Sequence, residues 1–176
     1  MNNKKIFIGL GIAFIISLNI YNIPQKKEKV EVPNQAVEFI EEDKININQL
    51  NKTLSKSLGT SVDLKKYKNV IVTFWATWCP SCHRENVVFN EFTQNNKNIF
   101  IVGICVDKNK KALATYQEKL VLNFPVVNIN KDIAILFDDI SVVPTHFIIN
   151  PDKETITKTF GLLDKNQLKN LVKGQI

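Results

Sequence analysis

Residues 69–86, NVIVTFWATWCPSCHREN, change character at Cys79. Before the cysteine stands a continuous apolar, β-branched run, NVIVTFWA, which suits a buried strand. After it, Pro80 fits the first position of a helix, and Cys82, Val88, Phe89 and Phe92 supply an apolar stripe. Two thiols in Cys-x-x-Cys spacing therefore fall where a strand hands over to a helix. A bridge between them closes only a very small ring, which adds little loop entropy to stability. Three cysteines are also too few for a disulfide framework. The pair is kept for chemistry.

Three chemistries use this spacing. Cys-x-x-Cys-His, completed by His83, is the spelling of a c-type haem attachment. Such a haem usually needs a second axial ligand, and only Met1 and His146 are on offer. A structural zinc site wants four ligands, commonly two pairs. Cys79, Cys82, His83, Cys105 and His146 contain no second pair. The redox reading accounts for more residues. At a helix N-terminus, unpaired N–H groups and the helix dipole stabilise a thiolate. Cys79 is then expected as the exposed attacking thiol and Cys82, one turn inward, as the resolving thiol. Pro80 stiffens the first turn without wasting an N–H. No metal and no cofactor are called for.

The rest of the domain alternates. Residues 36–66 carry mixed signals, with a helix pattern over 47–58 ended by Gly59. A strand is expected over 98–107, a helix over 108–120, a short edge strand at 124–128 with Pro125, and a short helix at 131–138. Two strands, 144–150 and 154–161, are joined by a tight PDK connection, and a last helix follows with Asp164 as N-cap and Gly174 beyond its end. The order β-α-β-α-β-(α)-β-β-α predicts an α/β sheet, parallel in part, closed by a hairpin. Cys105 inside its strand reads as an inert core thiol, His83 as exposed, and His146 as a packing or edge residue.

Two segments carry a resemblance. FWATWCPSC looks like the active-site segment of thioredoxin-fold proteins, and SVVPTHFIIN resembles the loop and strand that follow in that fold, where the Val-Pro bond is cis. The resemblance covers residues 67–173. Within the superfamily it is most similar to the membrane-anchored TlpA/ResA/CcmG (DsbE-type) group. It implies a central mixed sheet flanked by helices. It implies that Pro144 packs beside the disulfide and leaves Val143 to pair with an extended substrate, which Trp78 and Thr145 also bind. It also implies that Trp75 and Trp78 shape the surface around Cys79. Ordinary thioredoxins carry an acid six positions before the first cysteine, where Thr73 stands here. Glu85 lies three residues after Cys82, on the same helix face, and is the candidate acceptor for the resolving thiol's proton.

The N-terminus reads as an address. Lys4 and Lys5 precede an uncharged run from Ile6 to Ile23, which at ~1.5 Å per residue nearly spans a hydrocarbon core. No clear cleavage pattern follows, so residues 1–23 are expected to be a signal anchor, 24–35 a charged linker, and 36–176 the thioredoxin-like domain with 36–66 as its extension. The domain is expected outside the cytoplasmic membrane, facing the periplasm or an equivalent space. A net charge of +6 without clustered Lys/Arg gives no support to nucleic-acid binding. By resemblance, the chain is expected to be a monomeric protein-disulfide reductase. Its electrons would come from a membrane thiol transporter, and apocytochrome c would be among its substrates. A thiol oxidase or isomerase, or a protein of copper and oxidative-stress tolerance, is the alternative; a haem or metal carrier is the remote one.

Overall fold

The computed structural model describes residues 40–137 and 140–173. The expected anchor, linker and first residues of the extension lie outside the described residues, as does Gly174. Among the described residues, no helix is long and apolar enough to cross a membrane.

Six strands form one sheet. They are β1 (Ile40–Lys44), β2 (Asn69–Trp75), β3 (Ile99–Cys105), β4 (Val126–Asn128), β5 (Thr145–Asn150) and β6 (Thr155–Phe160), in the order β1-β6-β5-β2-β3-β4. β2, β3 and β4 run parallel, whereas β5, β6 and β1 are antiparallel to their neighbours. The sheet is thus mixed, as expected, with β4 at one edge and β1 at the other. β1 was not anticipated in the mixed-signal stretch 36–66. It pairs with β6, so its partner lies more than a hundred residues away in sequence.

Strand alternation sorts the core onto two faces. Val70, Val72 and Phe74 of β2 pack with Ile47, Leu50 and Leu54 of α1 (Ile47–Leu58) and Ile133 of α4 (Lys131–Leu136). Ile71 of β2 and Ile148 of β5 face the other way, onto Phe89 and Phe92 of α2 (Pro80–Asn95) and Leu168 and Leu171 of α5 (Lys165–Lys173). Leu113 of α3 (Lys111–Lys119) joins a third cluster with Trp75 and the cysteines. Helix ends follow their local chemistry. Asn46 caps α1 through the Gln49 N–H, and Gly59 at φ 68° ends it in the left-handed region that favours glycine. Asp164 accepts from the N–H groups of Asn166 and Gln167 at the start of α5.

This arrangement places three chain ends together. The C-terminal end of β2, the N-terminus of α2 and, because β5 is antiparallel to β2, the loop entering β5 all reach the same edge of the sheet.

Candidate active site

Cys79 and Cys82 form a disulfide at the N-terminus of α2, with their Cα atoms 5.3 Å apart. Cys79 is the N-cap residue, with extended backbone, and Pro80 occupies the first turn. The Cys82 N–H donates to Cys79 Sγ at 3.2 Å, and the Ser81 hydroxyl lies 3.2 Å from the same sulfur. The outer sulfur thus sits among donors that favour negative charge. The Val143–Pro144 peptide is cis, and the Val143 carbonyl oxygen lies 3.9 Å from Cys79 Sγ. The two segments singled out in the sequence therefore meet at one point.

Exposure corrects part of the expected picture. Cys79 is only 4% exposed, so it is a recessed rather than an open thiol, although Cys82 is fully buried. Trp78, beside it, is 68% exposed. Trp75 is completely buried and shapes no surface. Its position in β2 turns it inward with Ile71 and Thr73, and its ring meets Tyr116 with centroids 5.0 Å apart. Gly103 on the adjacent strand makes room for the indole, since a Cβ there would come within 2.9 Å of Trp75 Nε1. Thr145 is also fully buried, and its hydroxyl donates to the Val142 carbonyl at 2.7 Å. Its side chain therefore shapes the Val142–Val143 turn from beneath. Val142 itself is exposed, and Val143 is half-buried.

The loop from β2 into α2 is held from two sides. Asp107 accepts from the Thr77 N–H at 3.0 Å and from the Cys105 thiol at 3.1 Å. Burial pulls the Asp107 carboxyl upward, but the Thr77 and Cys105 hydrogen bonds outweigh it and hold it below the usual range. On the other side, His83 Nε2 donates to the Thr77 carbonyl at 2.7 Å, and its ring packs on Tyr116. His83 is half-buried and structural, where an exposed residue was expected. Burial, with the Asp107 carboxylate in contact, pushes the Cys105 thiol up to about 12. Cys105 is thus the inert core thiol expected of it.

Glu85 is 1% exposed. Its Oε1 accepts from the Leu163 N–H at 2.8 Å and lies 3.1 Å from His146 Nε2. His146 is not an edge residue: it is fully buried on β5, between β2 and β6, and packs against Phe89. Sequence reasoning missed this pair and missed Asp107. Alternation would have helped with His146, because residues 146 and 148 of β5 face α2; its meeting with Glu85 depends on long-range pairing. Among the described residues, no group of three or more His, Cys, Asp or Glu is arranged to hold a metal ion.

Comparison with known proteins agrees with this geometry. Thiol-disulfide oxidoreductase ResA of Bacillus subtilis (strain 168) is 29% identical over 181 residues, covering 97% of this chain and 94% of its own. A thioredoxin-family thiol:disulfide interchange protein from Chlorobium tepidum TLS superposes with a TM-score of 0.57 at 26% identity, over 69% of this chain and 83% of that one. StoA of Bacillus subtilis superposes with a TM-score of 0.53 at 25% identity, over 60% and 83%. The fold is thioredoxin-like, and the relatives fall in the group that the two sequence segments resemble. A profile of the AhpC/TSA family matches residues 32–158, and the chain belongs to that family.

Proposed function

We propose that this chain is a thiol–disulfide oxidoreductase anchored in the cytoplasmic membrane by residues 1–23. Its domain, residues 36–176, stands in an extracytoplasmic space and reduces disulfides of exported proteins, apocytochrome c among them. The single observation that carries the redox reading is the Cys79–Cys82 disulfide at the N-terminus of α2, against the cis-Pro144 loop. The ResA names among the relatives support the oxidoreductase reading, and the apolar N-terminal run supports the placement.

The cycle has two halves. A membrane thiol–electron transporter supplies a dithiol, whose thiolate attacks Cys79 Sγ. The Cys79–Cys82 bond breaks, Cys82 leaves and takes a proton, and the donor's second thiol displaces Cys79 as the thiolate. The donor dithiol becomes a disulfide, and the two electrons now reside on Cys79 and Cys82. The Cys79 thiolate then attacks a substrate disulfide, a mixed disulfide forms, and Cys82 loses its proton to Glu85 as it attacks Cys79. The substrate leaves as a dithiol. Pro144 lacks an N–H and keeps the loop apolar beside the sulfurs, Trp78 and Val143 contact the extended substrate, and Thr145 fixes that loop from below.

Trapping tests the roles. Cys82→Ser is expected to freeze a substrate on Cys79 as a mixed disulfide, identified by mass. Capture through Cys82 in Cys79→Ser instead would reverse the assignment. A reduction potential well below ~−200 mV supports a reductase, and one near ~−120 mV an oxidase. Release of the full-length chain into the soluble fraction without detergent would remove the anchor from the reading.

A further inference from the structure

A buried histidine stands beside the candidate proton acceptor, and the cycle above does not use it. His146 Nε2 lies 3.0 Å from the Gly161 carbonyl oxygen and 3.1 Å from Glu85 Oε1. A backbone carbonyl can only accept, so Nε2 carries the hydrogen and donates towards both oxygens. Glu85 Oε1 therefore faces two donors, the His146 Nε2–H and the Leu163 N–H, and both side chains are buried. Neither of these two donors is on the other carboxyl oxygen, Oε2.

We propose that His146 is a positioning residue for the Cys82 proton transfer. With the Leu163 N–H it forms a two-donor cradle that locks Glu85 Oε1 and stabilises the bare carboxylate whenever Glu85 has given its proton to Cys82. This rests on the reading of Glu85 as the Cys82 proton acceptor. The balance is one proton. As the Cys79–Cys82 bond is reduced, Cys82 leaves as thiolate and takes the proton from Glu85 Oε2. As Cys82 attacks the mixed disulfide, the proton returns to Oε2. His146 keeps its Nε2 hydrogen throughout and supplies no electrons.

The surroundings make the cradle matter. Moving a carboxylate into an apolar core is costly unless donors meet it. Uncharged side chains come from the strands and helices packed here. In the sheet register, His146 lies between Thr73 of β2 and Thr159 of β6, both fully buried. The Phe89 ring of α2 stands edge-on to the imidazole with centroids 6.0 Å apart. From the α5 side come Leu163, Leu168 and Leu171. Cys82, three residues before Glu85 on the same buried face of α2, is the titratable group placed to trade a proton with it. The Thr73 and Thr159 hydroxyls and His146 Nδ1 make no hydrogen bond with the protein. The ring is thus fixed through Nε2 alone, which concentrates its role on Glu85 and Gly161.

The test measures the pH profile of the resolving step by rapid mixing of the reduced full-length chain with a peptide disulfide. Variants are Glu85→Gln, His146→Leu, His146→Gln and the double Glu85→Gln/His146→Leu. His146→Leu is expected to displace the profile and slow resolution by about 10-fold at neutral pH, less than the ~10²–10⁴-fold of general acid–base catalysis as a whole. His146→Gln, which restores an N–H donor at the same reach, is expected to recover most of the rate. The double variant is expected to match Glu85→Gln alone, because His146 acts only through Glu85. If Glu85→Gln slows resolution but folded His146→Leu keeps the wild-type profile, His146 is packing only and this inference fails alone. If Glu85→Gln leaves resolution unchanged, the acceptor reading falls first. Should His146→Leu not fold, the ¹⁵N resonance of His146 Nε2 in the wild-type chain decides. It is expected to move between the oxidised and reduced states as Glu85 exchanges its proton, and an unmoved resonance overturns the proposal.

Discussion

Cys82 and Cys105 share the cluster around Trp75, each with a carboxylate two or three residues on in sequence, and only Cys82 has a partner sulfur. Cys105 and Asp107 are two residues apart at the end of β3, with the thiol donating directly to the carboxylate. Cys82 and Glu85 are three apart on α2, and Cys82 is bonded to a second sulfur that caps the helix. Burial and a carboxylate in contact keep Cys105 protonated. Cys79 Sγ instead faces the Cys82 N–H at the helix N-terminus and the Ser81 hydroxyl. A carboxylate near a thiol therefore says little by itself. Reactivity follows from the donors facing the sulfur and from a partner sulfur within reach.

The largest expected difference is in turnover. Cys79→Ala is expected to lower disulfide exchange by more than ~10³-fold, since it removes the covalent step, whereas Cys105→Ala leaves it unchanged. Steady-state reduction of a peptide disulfide measures both. An equal loss in the two variants would erase the distinction between the pairs.

A second difference appears in alkali. The Cys105 thiol is raised by burial from its ordinary 9.0 to about 12 in the folded protein. A thiol whose folded value is raised contributes stability that is fully present below the unfolded value. That contribution is lost as pH rises from about 9 towards 12. Chemical denaturation across that window is expected to show falling stability in the wild type and a flatter curve in Cys105→Ala. At pH near 8, alkylation of the reduced, folded chain is expected at Cys79 and not at Cys105, read by peptide mass.

The contrast also shows what the sequence could and could not reveal. β2, β3 and α2 were legible because each is a long, consistent pattern, and the helix start was spelled by Cys79–Pro80. The cis peptide before Pro144 followed from the resemblance of its segment. β1 was not legible, because IEEDK carries charges and little β-branched character, and its pairing with β6 is remote in sequence. Trp75 was misplaced for a different reason. Proximity to Cys79 in sequence suggested the surface, but strand alternation decided, and an odd position of β2 faces α2. Asp107 and His146 look ordinary in isolation. Their partners, Thr77 and Glu85, reach them only once β2, β3 and β5 lie side by side.

The grip on the entry loop distinguishes the pairs at the level of stability. Asp107→Ala removes the acceptor of the part-buried Thr77 N–H, a hydrogen bond to a charged group, at a cost of about 1.5–3 kcal/mol by denaturant unfolding. Asp107 is held below its usual range, so its contribution is present at neutral pH and is lost as pH falls through the folded value. The stability gap between Asp107→Ala and wild type is therefore expected to narrow in acid below the ordinary carboxylate value of 3.8. Constancy of the gap down to that range would detach Asp107 from the loop.

The smallest effect is expected from the opposite grip. His83 donates to the Thr77 carbonyl at 2.7 Å but is half-buried, so water can replace it once the ring is gone. His83→Ala is expected to cost about 0.5–1.5 kcal/mol, the net worth of one hydrogen bond, plus part of the Tyr116 contact. Because Thr77 would remain tied to Asp107, the Cys105 alkylation rate is expected to stay at the wild-type level in His83→Ala and to change in Asp107→Ala. The same variant separates the haem-like spelling from the fold. If His83 only steadies the loop, His83→Gln, which keeps a donor towards the Thr77 carbonyl, restores both stability and exchange, and the histidine in Cys-x-x-Cys-His owes its place to Thr77 rather than to any iron.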